Sequence, residues 1–175
     1  MQRFIRLNPV LKTTTMSIKA PKLDEIDFKI LKVLQEEGKI SNLNLSKKIG
    51  LSPAPTLERV KKLEQSGVIN SYHAQLDEIA LGLNLNALVQ ITLVRQLPDA
   101  AENFLKQAYN IPEVMEVYQV TGNYDFHLRV ITKDILDFER LIREELSKID
   151  EIANLQTMVV LRKHKASHVL PLKYD

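Results

Sequence analysis

The run GLSPAPTLERVKKLEQSG, residues 50–67, sets two prolines at the mouth of a strongly helix-forming segment. Proline lacks a backbone donor and clashes with the preceding helical turn, so Pro53 and Pro55 pose a problem that a helix start resolves. With Ser52 as the N-cap, Pro53 takes the first helical position, where a missing N–H is no loss. Pro55 stays within the first turn, whose amides have no intrahelical partners. The prolines then define the start of the helix and stiffen the turn that aims it. They leave Ser52 and the remaining first-turn amides free to face a phosphate. The spacing predicts a helix from Ser52 to Ser66 that buries Leu57, Val60 and Leu63, with Gly67 as its stop. Pro55, Glu58, Arg59 and Lys62 then follow one exposed surface.

Upstream, Leu23, Ile26, Ile30, Leu31 and Leu34 fall at helical spacing, with Asp24 as N-cap and Gly38 as the stop. A short second helix follows, capped by Ser41, with Leu45 and Ile49 inward and Gly50 at its end. Helix, short helix, turn and helix make the helix-turn-helix plan. The charge is distributed to match. The whole chain of 175 residues carries a net charge of only +2. Yet Lys39, Lys47, Lys48, Arg59, Lys61 and Lys62 stand against Glu58 alone between residues 39 and 62, while the part after residue 75 is net acidic. A basic module on an acidic body suits a polyanionic partner met by one part only; a solvated charged face is the plainer alternative.

Past Gly67 the period changes. VINSYHAQLDEIALGL reads as a short strand and hinge, and NLNALVQITLV alternates as a strand with Leu85, Ala87, Val89, Ile91 and Leu93 on one face. A helix opened by Pro98 buries Ala101, Phe104, Leu105 and Ala108. Two strands, EVMEVYQVT and DFHLRVI, flank a turn at Gly122–Asn123. A long amphipathic helix through Ile135 and Ile149 and a last strand, NLQTMVVLRK, complete the chain. The order β-α-β-β-α-β is that of the ferredoxin-like split βαβ, so the expected fold class is α+β. One sheet face needs cover, and either Leu85, Ala87 and Val89 or Met158 and Val160 are expected to supply a dimer surface.

From Leu23 to about Leu172 the chain resembles the Lrp/AsnC, or feast/famine, family of prokaryotic transcription regulators. The stretches that carry the resemblance are LDEIDFKILKVLQEEGKISNLNLSKKIGLSPAPTLERVKKLEQSGVI, VTGNYDFHLRV and HKASHVLPL. The resemblance implies a winged helix-turn-helix DNA-binding domain over residues 23–70, a hinge strand or linker over 71–84, and a ferredoxin-like effector-binding and oligomerisation domain over 85–175. It implies binding to double-stranded DNA, with Pro55, Thr56, Glu58, Arg59 and Lys62 in the major groove and Ser52 at a phosphate. Arg59 is the expected base reader, because a guanidinium bridges two acceptors of guanine. Lys47, Lys48 and Lys61 are expected on phosphates, although Glu58 and Lys62 can also simply pair at i,i+4.

The same resemblance implies a small effector, usually an amino acid, bound around Tyr118, Thr121, Gly122, Asn123, Tyr124 and Asp125. A glycine turn permits close approach of a ligand, and Asp125 suits an α-ammonium. The alternative is a hairpin whose Asn and Asp serve only as turn formers. The family further implies homodimers that gather into tetramers or octamers in the cytoplasm, associated with the nucleoid.

Other classes lack their residues. There is no cysteine, hence no disulfide, thiol nucleophile or Cys-based metal site. His164 and His168 follow a strand, where their spacing does not make a helical zinc pair. The scattered glycines form no phosphate loop, and no catalytic residue, metal or cofactor is expected. No apolar run approaches the roughly 18–20 residues needed to span a bilayer. Residues 1–22 are basic and Thr-rich, read as a disordered arm or as sequence upstream of a start at Met16; a transit peptide has similar composition. A DNA-compacting protein with little sequence preference is the alternative function. A catalytic ferredoxin-like domain and an RNA-recognition motif fit less well, the central strands lacking dense aromatics.

Overall fold

The computed structural model describes residues 21–94 and 99–174. The readings placed on residues 1–20, and the place of Pro98 ahead of its helix, lie outside the described residues. The chain divides into two compact units: residues up to His73 together with those from Ser167, and Ala74–Ala166.

The first unit is helical. Helix α1, Glu25–Glu36, begins at a reciprocal capping box: the Asp27 amide donates to Asp24 Oδ1 at 2.9 Å, and the Asp24 amide donates to Asp27 Oδ2 at 3.1 Å. Helix α2, Asn42–Ile49, starts at Ser41, whose hydroxyl accepts from the Asn44 amide, and ends at Gly50 in the left-handed region at φ 76°. Helix α3, Pro53–Gln65, has Ser52 at its N-cap and Pro53 at N1, although the Ser52 hydroxyl makes no cap hydrogen bond. Ile30, Leu31, Leu45, Ile49 and Leu63 form the core, with Val60, Val68 and Ile69 against it.

The buried phase of α3 differs from the expectation. Thr56 is fully buried, whereas Leu57 is 42% exposed. Successive helical residues stand about 100° apart, and Thr56 and Leu57 lie four and three residues before Val60, so helical spacing to Val60 admits either. Packing against α1 and α2 selects the smaller side chain. The Thr56 hydroxyl donates to the Ser52 carbonyl at 2.9 Å, which leaves no orphaned donor in the core.

The segment read as a strand and hinge, residues 68–83, forms no strand among the described residues. The C-terminal boundary also shifts. Residues from Ser167 belong to the helical unit, not to the sheet, where the reading of 85–175 had put them. Leu172 packs on its core, the Tyr174 ring meets Phe28 edge-on at 5.4 Å, and the Leu170 amide donates to Gln35 Oε1 at 2.6 Å.

The second unit has the expected ferredoxin-like plan. Strands β1 (Leu85–Leu93), β2 (Val114–Gln119), β3 (Phe126–Thr132) and β4 (Ile152–Val159) form one antiparallel sheet in the order β2-β3-β1-β4. Helices α4, Ala100–Ala108, and α5, Ile135–Glu144, supply Phe104, Ala108, Phe138 and Leu141 to the core against it. The long helix expected through Ile149 stops at Glu144 and gives way to a 3₁₀ turn, Leu146–Lys148. Ala87 and Val89 are fully buried and Leu85 packs beside them, so this set belongs to the core and is not a dimer surface. The opposite face carries Leu88, Gln90, Arg129, Gln156 and Met158. It is polar: Arg129 pairs with Glu116 at 2.9 Å and Glu78 at 3.6 Å, and Lys163 joins Glu78 at 3.1 Å.

Candidate DNA-binding and effector sites

The geometry of the helical unit starts at the turn between α2 and α3. Asn42 Nδ2 donates to the Pro53 carbonyl at 2.8 Å, tying the start of α2 to the start of α3. Pro53 and Pro55 have no amide hydrogen to satisfy, and both are exposed in the first turn. Counting along α3 from the buried Thr56, the residues turned away from the core are Ala54, Leu57, Glu58, Lys61, Lys62 and Gln65. Glu58 and Lys61 approach to 3.5 Å on this surface, where a pair in high dielectric contributes little. Lys47 and Lys48, in the last turn of α2, are also exposed, and Lys48 pairs with Glu37.

Arg59 is placed differently from its neighbours. Its Nη1 lies 2.7 Å from Asp24 Oδ2 and 2.8 Å from Asp27 Oδ1, with only a third of its side chain exposed. The two carboxylates raise the guanidinium's pKa, Asp27 more than Asp24. In turn Asp24 is held below the usual carboxylate range, first by the Asp27 amide and also by Arg59. The predicted DNA-contacting set is therefore divided. Lys47, Lys48, Ser52, Pro55, Glu58, Lys61 and Lys62 lie on the surface, Thr56 is in the core, and Arg59 is spent on α1.

In the sheet unit the predicted effector residues run from Tyr118 in β2 through the turn that leads into β3. Gly122 sits at φ 117°, a conformation that side chains rarely adopt, and Thr121 and Asn123 flank it exposed. Tyr118 lies on the polar sheet face, its hydroxyl donating to Glu116 at 2.6 Å, which raises its pKa. Tyr124 donates to Gln156 and stands edge-on to His127. Asp125 is built into the fold: its amide donates to the Ile91 carbonyl, and its Oδ2 accepts from the Leu93 amide at 2.8 Å. The β1–β3 ladder ends at Ile91–Phe126, so the carboxylate serves the next amide of β1 in place of a strand carbonyl. Beside it a recess of about 290 Å³ is lined by Leu93, Asp99, Ala100, Gln119 and Asp125 among others. Of the six predicted effector residues only Asp125 reaches it.

Two stretches of the chain match families of known proteins. Residues 23–70 match the winged helix-turn-helix DNA-binding family, and residues 86–170 match the Lrp/AsnC ligand binding domain. The leucine-responsive regulatory protein of Haemophilus influenzae is 42% identical over 151 residues, covering 86% of this chain and 91% of the relative. This chain belongs to the Lrp/AsnC family. Among solved Lrp/AsnC-like structures, a transcriptional regulator from Neisseria meningitidis in complex with L-Met is 34% identical, with a TM-score of 0.82 over 86% of this chain and 97% of that one. An AsnC family regulator from Agrobacterium tumefaciens is 31% identical, with a TM-score of 0.80 over 85% and 97%.

The Lrp/AsnC chain is thus a DNA-binding transcription regulator with a small-molecule binding domain. No helix among its described residues is long and apolar enough to cross a membrane. Sequence reasoning missed the outward place of Ala54 and Leu57, because it gave Leu57 to the core. It also missed Asp99 and Gln119 in the recess, which lie 26 and 6 positions before Asp125 and meet it only through the sheet. A partial signal existed for Asp27, an acid at the third helical position after an Asp cap.

Proposed function

We propose that this protein binds DNA sequence-specifically, as a homodimer or a larger assembly, and that an amino acid tunes its DNA affinity or its state of assembly. The observation that carries the reading is the outward surface of α3, where Glu58, Lys61 and Lys62 stand beside exposed Pro55, with Lys47 and Lys48 at the end of α2. In this reading α3 enters the major groove. Pro55, Glu58 and Lys62 face base edges, while Lys47, Lys48 and Lys61, with the Ser52 hydroxyl and nearby amides, take phosphates. Two copies would place their α3 helices in successive grooves, with half-sites roughly 10–10.5 base pairs apart.

In this reading the dimer forms through the sheet face opposite the helices, where Leu88 and Met158 stand side by side, and tetramers or octamers follow from further contacts between dimers. For the effector, Gly122 and Asp125 provide a close-approach turn and a carboxylate for an ammonium group. The neighbouring first-turn amides of α4 suit a carboxylate. The L-Met complex of the Neisseria relative supports an amino acid as the class. The protein acts in the cytoplasm, at the nucleoid, and carries no catalytic activity.

The test is selection of binding sites from random duplexes, followed by fluorescence anisotropy on the selected and scrambled sites at several salt concentrations. The reading expects a paired consensus and a clear preference for it. Equal, steeply salt-dependent affinity for all duplexes would replace it with a DNA-compacting role.

A further inference from the structure

We infer that α3 reads thymine methyl groups through Leu57, assisted by Ala54. The inference rests on the proposed entry of α3 into the major groove. Ala54, Leu57, Glu58 and Lys61 follow the i, i+3, i+4, i+7 spacing of one helical surface, turned away from Thr56, Val60 and Leu63. A single exposed leucine is ordinary on a protein surface; its position is what matters here. Leu57 lies in the N-terminal half of the helix, the part whose side chains reach base edges in helix-turn-helix proteins.

The chemistry of the remaining side chains narrows the choice. Guanine offers two acceptors, open to Lys62 and best bridged by a guanidinium. The one guanidinium on α3, Arg59, is turned onto Asp24 and Asp27 at 2.7 and 2.8 Å. Adenine is best read by a bidentate Asn or Gln, and α3 has none before Gln65, its last residue. What the surface presents near its start is apolar, and the only apolar feature on the major-groove edges is the thymine C5-methyl. Glu58 beside Leu57 adds an acceptor suited to the cytosine amino group.

The experiment uses the full chain and a duplex obtained by site selection. Each thymine is replaced in turn by deoxyuridine, which removes the methyl and leaves the pairing edge intact. Binding is read by fluorescence anisotropy for the wild type and for Leu57→Ala. Loss of one buried methyl should weaken wild-type binding by about fourfold at one or two thymines per half-site. Leu57→Ala should bind the methylated duplex correspondingly more weakly and lose its response to deoxyuridine at those positions. Its circular dichroism and Tm should match the wild type, since the side chain is exposed.

A selected consensus whose thymines all tolerate deoxyuridine overturns the inference and leaves sequence-specific binding intact. So does a deoxyuridine effect that persists unchanged in Leu57→Ala, or a Leu57→Ala variant that loses assembly by size exclusion while keeping its methyl response. Absence of any selected consensus defeats the sequence-specific reading itself, and the methyl inference with it.

Discussion

Arg59 on α3 and Asp27 on α1 meet at 2.8 Å across the helical unit, with Asp27 only 15% exposed. Asp27 is also the third residue of α1 and closes the capping box with Asp24. A single guanidinium therefore braces α3 against a helix N-terminus, where carboxylates are favoured by the dipole. The residue chosen on chemical grounds as the base reader is held by the fold as a strut.

Arg59→Ala is accordingly expected to destabilise the helical unit by about 1 kcal/mol, a value kept low because the pair is partly solvated. DNA affinity should fall by a similar factor for matched and mismatched duplexes, since the aim of α3 is loosened. Denaturant unfolding and anisotropy on paired duplexes check both. A loss confined to one base position would return Arg59 to the groove.

The Asp24 cap, held by the Asp27 amide and then by Arg59, carries an acid limit. Asp24 has a lowered pKa, so its ionised form is stabilised by folding. That stability is fully present above its ordinary value of 3.8 and is lost as pH falls through the lowered one. Asp24→Asn should flatten the acid side of the stability curve, measured by unfolding between neutral and strongly acidic pH. An unchanged curve would mean that the Asp24 charge contributes nothing measurable.

Lys61→Ala and Lys47→Ala should each weaken binding to every duplex alike and reduce the slope of log affinity against log salt by about one. A change in base preference with an unaltered slope would move either lysine from phosphate to base.

Thermal unfolding against the twenty amino acids should reveal one or a few that stabilise the chain, by about 2.7 kcal/mol at a hundredfold excess over Kd. Asp125→Asn is the informative variant, because the amide oxygen still accepts from Leu93 while the negative charge is gone. It should keep the unliganded Tm near that of the wild type and abolish the shift. A retained shift would take Asp125 out of the ammonium site.

Leu172→Ala should lower the stability of the helical unit by about 1 kcal/mol, less than a fully buried leucine, because the side chain is only half-buried. Calorimetry or denaturant unfolding reads it. No change would mean that the tail from Ser167 adds nothing to the core it packs on.

Much of this architecture is written in local rules. Asp24 and Ser41 start their helices because caps act on the nearest amides, and Pro53 is tolerated only at a helix start such as the one after Ser52. The alternation of Leu85 to Leu93 and the Gly122 turn likewise need no distant partner to be recognised. From these the sequence alone determined the helix-turn-helix, the β-α-β-β-α-β order and the basic module. Only the tertiary structure decided that Thr56 enters the core while Leu57 leaves it, that Arg59 turns to Asp24 and Asp27, and that the tail joins the helical unit. It likewise set Asp99 beside Asp125 and turned Ala87 and Val89 toward the helices. Each of those outcomes depends on residues remote in sequence competing for the same space or charge, and helical or strand periodicity is equally satisfied by more than one of the answers.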